Sequence, residues 1–209
     1  GESLAGSNEH GFVFDILNEL SNSIKILKSK NLKISIVLGG GNFIRGSSFS
    51  NGVVDRVTSD YMGMLGTVIN SLALQSNLKK LGVDSRVMTA ISINRVAEPY
   101  IKNKASNHLD KNRVVIFASG TGNPFFTTDT AAVLRASEMK SDIILKGTKV
   151  DGIYDKDPIN NPDAKKIKNI SFSDYLNKDI KVMDATAISL AKDRSLPKII
   201  FSIFKSSNI

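Results

Sequence analysis

The stretch Ala118-Ser119-Gly120-Thr121-Gly122-Asn123-Pro124-Phe125-Phe126-Thr127-Thr128-Asp129 joins two segments of different character. Residues 113–117 before it are β-branched and apolar and predict a buried strand, whereas residues 130–139 after it have helical composition. A turn rich in glycine and hydroxyl groups therefore ends a strand and opens a helix. In α/β proteins anionic ligands bind at such a turn, because free backbone N–H groups and the helix dipole meet there.

Patterns typical of helices and strands alternate along the rest of the chain. Helices are predicted over 12–28, 54–81, 95–102 and 184–194, and strands over 33–38, 85–89, 142–146 and 198–203. Strands that alternate with helices pair in parallel through right-handed crossovers, so a mainly parallel sheet with helices on both faces is expected. Residues 155–168, with two prolines, are predicted to be a surface excursion. The sequence therefore predicts one α/β domain over residues 1–209, a three-layer α/β/α sandwich.

The composition excludes several classes of protein. No apolar run approaches the ~20 residues that span a bilayer, and the first residues lack the pattern of a secretory signal. Cysteine is absent, which excludes a disulfide framework and thiolate chemistry. We therefore expect a cytoplasmic protein without a membrane partner.

The net charge of +8 raises the question of a nucleic-acid ligand. The lysines are scattered, however, and no aromatic residues alternate with them. A small polyanion such as a nucleotide fits the glycine-rich turns better, so nucleic acid is not expected to be the main ligand.

Two further candidate sites follow predicted strands. Gly39-Gly40-Gly41-Asn42 comes after the strand over 33–38, and Arg45 stands three residues later. Glycines let the backbone approach a ligand closely, and an arginine can hold a phosphate through two hydrogen bonds. A tight strand–helix turn needs glycine as well, so both interpretations of the triplet stay open.

Lys146 ends the predicted strand over 142–146, where its ammonium group would neutralise charge on a transferred phosphoryl group. Beyond it, Tyr154 would pack against a base and Asp157 would accept from a ribose hydroxyl, although a polar surface loop would have the same composition.

Asp60 lies one turn after Arg56 on the predicted helix over 54–81. For an isolated helix, a plain ion pair between the two side chains is the favoured interpretation.

Missing motifs narrow the chemistry further. The chain has no Gly-x-x-x-x-Gly-Lys-Ser/Thr loop and does not open on Gly-x-Gly-x-x-Gly. Its two histidines, His10 and His108, neighbour no candidate nucleophile, so hydrolytic triads and histidine metal sites are not expected. The remaining glycines, threonines, arginine, lysine and aspartates suit phosphoryl transfer, which can proceed by positioning and charge neutralisation.

Taken together, these segments resemble the bacterial uridylate kinases of the amino acid kinase superfamily. The runs that carry the resemblance are Gly39-Gly40-Gly41-Asn42 with Arg45, Asp60-Tyr61-Met62-Gly63-Met64-Leu65, Thr121 through Asp129, Lys149-Val150-Asp151-Gly152 and Lys181-Val182-Met183-Asp184. The run 123–129 is specific to uridylate kinases, whereas the glycine triplet and the lysine-bearing strand recur across the superfamily. The resemblance implies the amino acid kinase fold, ATP-dependent phosphorylation of UMP to UDP, Mg²⁺ with the ATP, a homohexamer, and UTP or GTP as effectors.

The resemblance also implies a role for each matching residue. Those expected to contact UMP are Gly40, Asp60, Thr121, Gly122, Asn123, Pro124, Phe125, Phe126, Thr127 and Thr128. Those expected to face ATP are Gly1, Gly41, Arg45, Thr148, Tyr154 and Asp157. Arg45 and Lys146 would be the catalytic cations and Asp129 would orient the lysines, a role that Asp184 would share unless it is purely structural. Asp60 would then accept a hydrogen bond from the ribose of UMP. The resemblance assigns no protein side chain to a metal.

Two features depart from the family pattern. Family members begin with a strand whose lysine binds ATP phosphate. Gly1 corresponds to a glycine just after that lysine. At the other end, the family's last helix and strand would follow residue 209. The segment Gly6, Ser7, Asn8, Glu9, His10 and Gly11 corresponds to a GTP-responsive region, and His10 replaces the aromatic residue that is common there.

Two other functions remain open from the sequence. A sister kinase that phosphorylates a carboxylate or carbamate would share the fold and residues 39–42 but would lack the run 123–129. A nucleotide-responsive, DNA-binding regulator would account for the charge of +8 and for a chain without the family's first lysine.

Overall fold

The computed structural model describes residues 1–6, 10–44, 54–158, 160–178, 180 and 182–203. The chain divides into two compact units, Gly1–Thr128 and Asp129–Ile209. In the described residues, no helix is both long enough and apolar enough to cross a membrane.

The first unit is built on a parallel sheet. Its strands are β1 (Ser35–Val37), β2 (Ser85–Thr89), β3 (Glu98–Pro99) and β4 (Val114–Ala118), in the order β1-β4-β2-β3 with every pair parallel. Strand β4 is central and buried at all five positions, as its β-branched composition predicts. The helices are α1 (Phe14–Ser29), α2 (Arg56–Lys80) and α3 (Lys102–Asp110), preceded by a short 3₁₀ helix over Glu2–Ala5.

Helix α2 is the long element that carries Asp60. Asp55 caps its first turn by accepting from the Thr58 N–H at 3.0 Å. Gly82, at φ +76, follows its end, where the left-handed conformation suits glycine. Leu74 and Leu78 are fully buried and pack in one apolar cluster with strands β2 and β4.

The second unit contains a parallel strand pair, β5 (Ile144–Thr148) with β8 (Lys198–Ser202). A small antiparallel pair, β6 (Ile153–Tyr154) with β7 (Lys166–Ile167), lies in the connection between them. Helix α4 (Thr128–Glu138) opens at the boundary of the units, and α5 (Phe172–Asn177) and α6 (Ala185–Asp193) follow β7. The apolar cluster of this unit includes Val133, Ile144, Tyr175 and Ile188.

The predicted α/β class with a mainly parallel sheet is confirmed. The predicted helix over 95–102 is wrong, because Pro99 has no N–H to donate within a helix and instead lies in the short edge strand β3. Helices α3 and α5 and the β6–β7 pair are not predicted from the sequence, and the predicted surface excursion over 155–168 contains strand β7. The boundaries of a single domain stay a prediction.

Candidate active site

The turn between β4 and α4 has an unusual backbone. Gly120 and Gly122 have φ values of +56 and +83, which glycine adopts at little cost. Ser119 and Phe125 also have positive φ, +63 and +71, where a side chain is strained. Such strain persists only where other contacts hold the backbone, so the contacts of Phe125 are informative.

The Asp60 carboxylate makes the contact that holds Phe125. Its Oδ2 accepts from the Phe125 N–H at 2.7 Å, and both of its oxygens accept from Arg56 Nε at 3.0 Å. The Arg56 guanidinium also lies over the Phe125 ring, 5.8 Å from its centroid. The ion pair that an isolated helix favours is therefore present, and the same carboxylate also orders the turn.

The glycine triplet lies close to helix α2. A Cβ on Gly40 would collide with the Gly63 carbonyl oxygen, so this position needs glycine for packing. Asn42 and Asn70 are fully buried, and each amide donates to the other's oxygen, at 2.9 and 2.7 Å. Asn70 also donates to the Gly39 carbonyl at 2.6 Å, which fixes the triplet on the helix. Close packing on α2 therefore requires glycine at position 40, and the ligand role of the triplet stays a prediction.

A cleft of about 160 Å³ opens beside the triplet. Five residues predicted to bind nucleotide line it: Gly40, Gly41, Asp60, Phe126 and Thr128. Of the others in the turn, Asn123, Phe125 and Thr127 are exposed, and Thr121 Oγ1 accepts from the Asn123 N–H at 3.2 Å. The fold therefore brings the first strand's glycines, helix α2 and the turn to one concave surface.

The start of the chain is also near the triplet. Gly1 is packed so closely that a Cβ on it would collide with the Gly39 carbonyl oxygen. The Gly11 N–H donates to the Asn42 carbonyl at 2.9 Å, and the Gly11 carbonyl accepts from the Asn42 amide at 2.9 Å. Gly6 has φ +60 and His10 is exposed. Arg45, Ser7, Asn8 and Glu9 lie outside the described residues.

In the second unit, Lys146 is held by two partners. Its ammonium donates to Asp129 Oδ2 and to the Val182 carbonyl, each at 2.5 Å. The Lys146 and Asp129 side chains are 21% and 25% exposed, so the pair is shielded but open to solvent. Strand β5 continues to Thr148, so Lys146 lies in the middle of the strand and not at its end.

Asp184 anchors the neighbouring helix. Its Oδ1 accepts from the Ala187 N–H at 2.9 Å, which caps α6, and from Thr130 Oγ1 at 3.0 Å. Thr130 follows Asp129 in the first turn of α4, where the helix dipole favours a carboxylate. Both aspartates therefore belong to one polar cluster with Lys146.

Lys198 is a further lysine of this unit, and its position in the sequence does not mark it as a site residue. Burial lowers the pKa of its ammonium to about 8, while Asp129 and Asp184 raise it and Lys146 lowers it further. Its Nζ donates to the Ala187 carbonyl at 3.2 Å and lies 5.9 Å from the Phe172 ring centroid. From sequence alone it is one lysine of many, because nothing local marks it as buried.

Three residues predicted to face ATP lie at the end of β5, in β6 and just after β6. Thr148 Oγ1 donates to the Val150 carbonyl at 2.8 Å and Asp157 accepts from the Asn160 amide at 2.5 Å. The Tyr154 hydroxyl donates to Asp151 at 2.7 Å, and this bond raises the pKa of the phenol. Each side chain is thus ordered by its own loop, and the adenosine role stays a prediction.

The fold and the site define a class of protein: the chain belongs to the amino acid kinase family, whose model matches residues 1–202. Within that class it is a member of the uridylate kinases. It is 52% identical over 210 residues to the uridylate kinase of Sulfurimonas denitrificans, with all of this chain and 89% of that protein covered.

Solved structures agree with this placement. The crystal structure of UMP kinase from Bacillus anthracis is 41% identical with a TM-score of 0.94, covering 98% of this chain and 85% of that one. The UMP kinase from Ureaplasma parvum is 39% identical with a TM-score of 0.92, covering 98% and 87%. The uridylate kinase from Archaeoglobus fulgidus is 22% identical with a TM-score of 0.73, covering 96% of this chain and 86% of that one. At this identity the likeness shows the shared fold alone. The expected family and fold are confirmed.

Proposed function

We propose that this chain transfers the terminal phosphoryl group of ATP to UMP and so forms UDP and ADP. Membership of the uridylate kinases carries this proposal. The ordered turn over 121–128, which is held by Asp60 and lies at a cleft with the glycine triplet, supports it.

The acceptor nucleotide occupies the first unit in this proposal. Backbone N–H groups and hydroxyls of residues 121–128, together with Gly40, contact UMP, and Asp60 accepts from its ribose. The cleft beside the triplet supports this, because Gly40, Asp60, Phe126 and Thr128 all line it.

Charge neutralisation is the catalytic device. In a loose transition state the acceptor phosphate is already ionised, so no general base is required. Lys146 and Arg45 stabilise the charge on the transferred group, and Asp129 orients Lys146. The 2.5 Å contact between Lys146 and Asp129 supports that division of roles. Gly1, Gly41, Thr148, Tyr154 and Asp157 face ATP, which brings Mg²⁺ on its phosphates, since phosphate oxygens are preferred ligands of this ion.

A coupled assay of ADP release tests the proposal. The acceptors are UMP, CMP, glutamate and carbamate, each with ATP and Mg²⁺. Turnover on UMP well above the other three supports a uridylate kinase. Turnover on glutamate or carbamate instead indicates a sister kinase, and no turnover together with salt-dependent binding to duplex DNA indicates a regulator.

The assembly is proposed to be a homohexamer located in the cytoplasm. Helix α2 supports self-association, because one of its faces leaves four large apolar residues 39–48% exposed: Val57, Tyr61, Leu65 and Ile69. A spacing of four residues places them in one stripe along the helix. Light scattering coupled to gel filtration checks the mass. Leu65→Glu on this face is expected to reduce it, and Lys192→Glu on α6 is the control.

UTP or GTP is proposed to act as effector, with residues 6–11 as the responsive segment. The paired bonds between Gly11 and Asn42 support a connection from this segment to the glycine triplet. Steady-state rates with and without each nucleotide test it, and rates that neither nucleotide changes contradict it.

A further inference from the structure

Tyr175 is a buried tyrosine that none of the roles above uses. It lies on α5, is 4% exposed, and packs in the apolar cluster of the second unit with Met183, Ala187 and Ile188. A phenylalanine would fill such a position without a polar atom to satisfy. A buried hydroxyl costs free energy unless it is hydrogen-bonded, so the partners of this hydroxyl show what it does.

The hydroxyl is bonded to one short turn. It accepts from the Met183 N–H at 2.7 Å and donates to the Met183 carbonyl at 3.3 Å. Burial raises the pKa of the phenol, and Asp129 and Asp184 raise it further, while its bonds to the turn lower it. The hydroxyl therefore stays protonated and lies within the field of both carboxylates of the Lys146 cluster.

The Met183 N–H and the Val182 carbonyl belong to the same peptide group. A trans peptide is planar, and its N–H and C=O point in opposite directions. Tyr175 holds the N–H end of this plane, and the Lys146 ammonium binds the C=O end at 2.5 Å. Tyr175 and Lys146 therefore bind the two ends of one rigid peptide plane.

Asp184, the next residue of the same turn, connects the turn to Asp129. Asp184 follows Met183, caps α6, and accepts from Thr130 beside Asp129. Asp129 is the second partner of Lys146. Both hydrogen-bond partners of the ammonium are therefore connected to the turn that Tyr175 holds.

We propose that the Tyr175 hydroxyl is a positioning group for phosphoryl transfer, which clamps the 182–183 peptide so that its carbonyl and Asp129 hold the Lys146 ammonium in place. This inference rests on the catalytic role proposed for Lys146. Tyr175 itself touches no substrate in this account and acts through Lys146.

Tyr175→Phe tests the proposal because it removes the hydroxyl and keeps the ring. Misplacing a catalytic group by about 1 Å can cost on the order of 100-fold in rate, so we expect kcat to fall about 10- to 100-fold with the KM for UMP unchanged. In a Lys146→Ala background the same change is expected to alter kcat less than about 2-fold, since residues that act as a unit are not additive. Ile188→Val, in the same apolar cluster, is the control for a loss of packing alone.

A second measurement does not depend on activity. The proposal predicts an NMR signal of the Lys146 ammonium, held by Asp129 and Val182, that broadens or disappears in Tyr175→Phe and persists in Ile188→Val. If Tyr175→Phe does not fold, 3-fluorotyrosine at this position keeps the shape and weakens the oxygen as an acceptor, and an intermediate kcat and a broadened signal are expected.

The proposal is overturned if the folded Tyr175→Phe variant keeps both the wild-type kcat and the Lys146 signal, or if its loss of rate is the same with and without Lys146. Failure of the wild-type chain to phosphorylate UMP would instead overturn the proposed function. The ammonium signal would still decide whether Tyr175 positions Lys146.

Discussion

The Asp60 carboxylate accepts a 2.7 Å hydrogen bond from the backbone N–H of Phe125, 65 positions further along the chain. The bond joins the first turns of α2 to the strained apex of the turn that follows β4. Asp60 is also paired with Arg56, whose guanidinium lies over the Phe125 ring. A single carboxylate thus contacts both the start of α2 and the turn that follows β4.

Asp60→Asn is expected to raise the KM for UMP about 10-fold and the KM for ATP much less. The amide keeps the size of the side chain but loses the charge that holds Arg56 and that would accept from a ribose hydroxyl. Steady-state kinetics with each substrate varied in turn measure both constants. Asp15→Asn, an exposed change on α1, is the control. Equal increases in the two KM values would remove Asp60 from the acceptor site.

Lys146→Ala is expected to lower kcat by about 100- to 1,000-fold and to change the KM for UMP little, because in the proposed mechanism its ammonium stabilises charge that develops during transfer. Single-turnover rates under saturating substrates measure the effect. Lys192→Ala removes an exposed lysine of the same unit and is expected to leave the rate constant unchanged. A Lys146→Ala enzyme with the wild-type rate constant would refute the role of the cation.

Lys198 predicts a pH dependence of stability. Its folded-state pKa, about 8, is below the unfolded value of 10.5, so the protonated form is disfavoured in the folded protein. Between pH 8 and 10.5 the unfolded chain binds more protons at this lysine, and its contribution to the free energy of unfolding therefore rises with pH in that range. Lys198→Met is expected to be more stable than wild type at pH 7 by about 1 kcal/mol, a value discounted for partial exposure.

Urea denaturation at pH 7, 8, 9 and 10 measures this difference. Groups common to both proteins cancel, and the advantage of Lys198→Met should shrink as the pH rises above 8. A difference in the free energy of unfolding that stays constant over this range would show that Lys198 is not perturbed by burial.

Ser119→Gly is expected to raise the free energy of unfolding by about 1 kcal/mol. Ser119 is fully buried at φ +63, and in the described part of the chain its Oγ has no hydrogen-bond partner. Glycine removes both the backbone strain and the unsatisfied hydroxyl, which together outweigh the added freedom of the unfolded chain.

Ser119→Ala is the matched control for this prediction, because it removes the hydroxyl and keeps the strained Cβ. Ser119→Ala should raise the free energy of unfolding, measured by thermal or chemical denaturation, by less than Ser119→Gly does. A glycine variant that is no more stable than the alanine variant would show that the backbone at residue 119 carries no strain.

The sequence predicted those elements whose pattern is local. The apolar run before the turn is strand β4, and the long amphipathic pattern around Asp60 is helix α2, within two residues at its start and one at its end. It failed where a local pattern was ambiguous, as at Pro99, and where an element is short, as in α5 and the β6–β7 pair. Short elements depend on partners that are distant in sequence.

The sequence by itself determined the fold class and the inventory of the site: glycines that permit close approach and positive φ, hydroxyls and N–H groups for an anion, and lysine with aspartate for charge. These depend on residue type and spacing, which a linear chain displays. Only the tertiary structure decided which groups meet, namely Asp60 with Phe125, Asn42 with Asn70, and Lys146 with the peptide that Tyr175 holds. The physical reason is that hydrogen bonds between distant segments form only once the chain has packed. Packing also creates the burial that shifts the pKa of a lysine or makes an unbonded tyrosine hydroxyl costly.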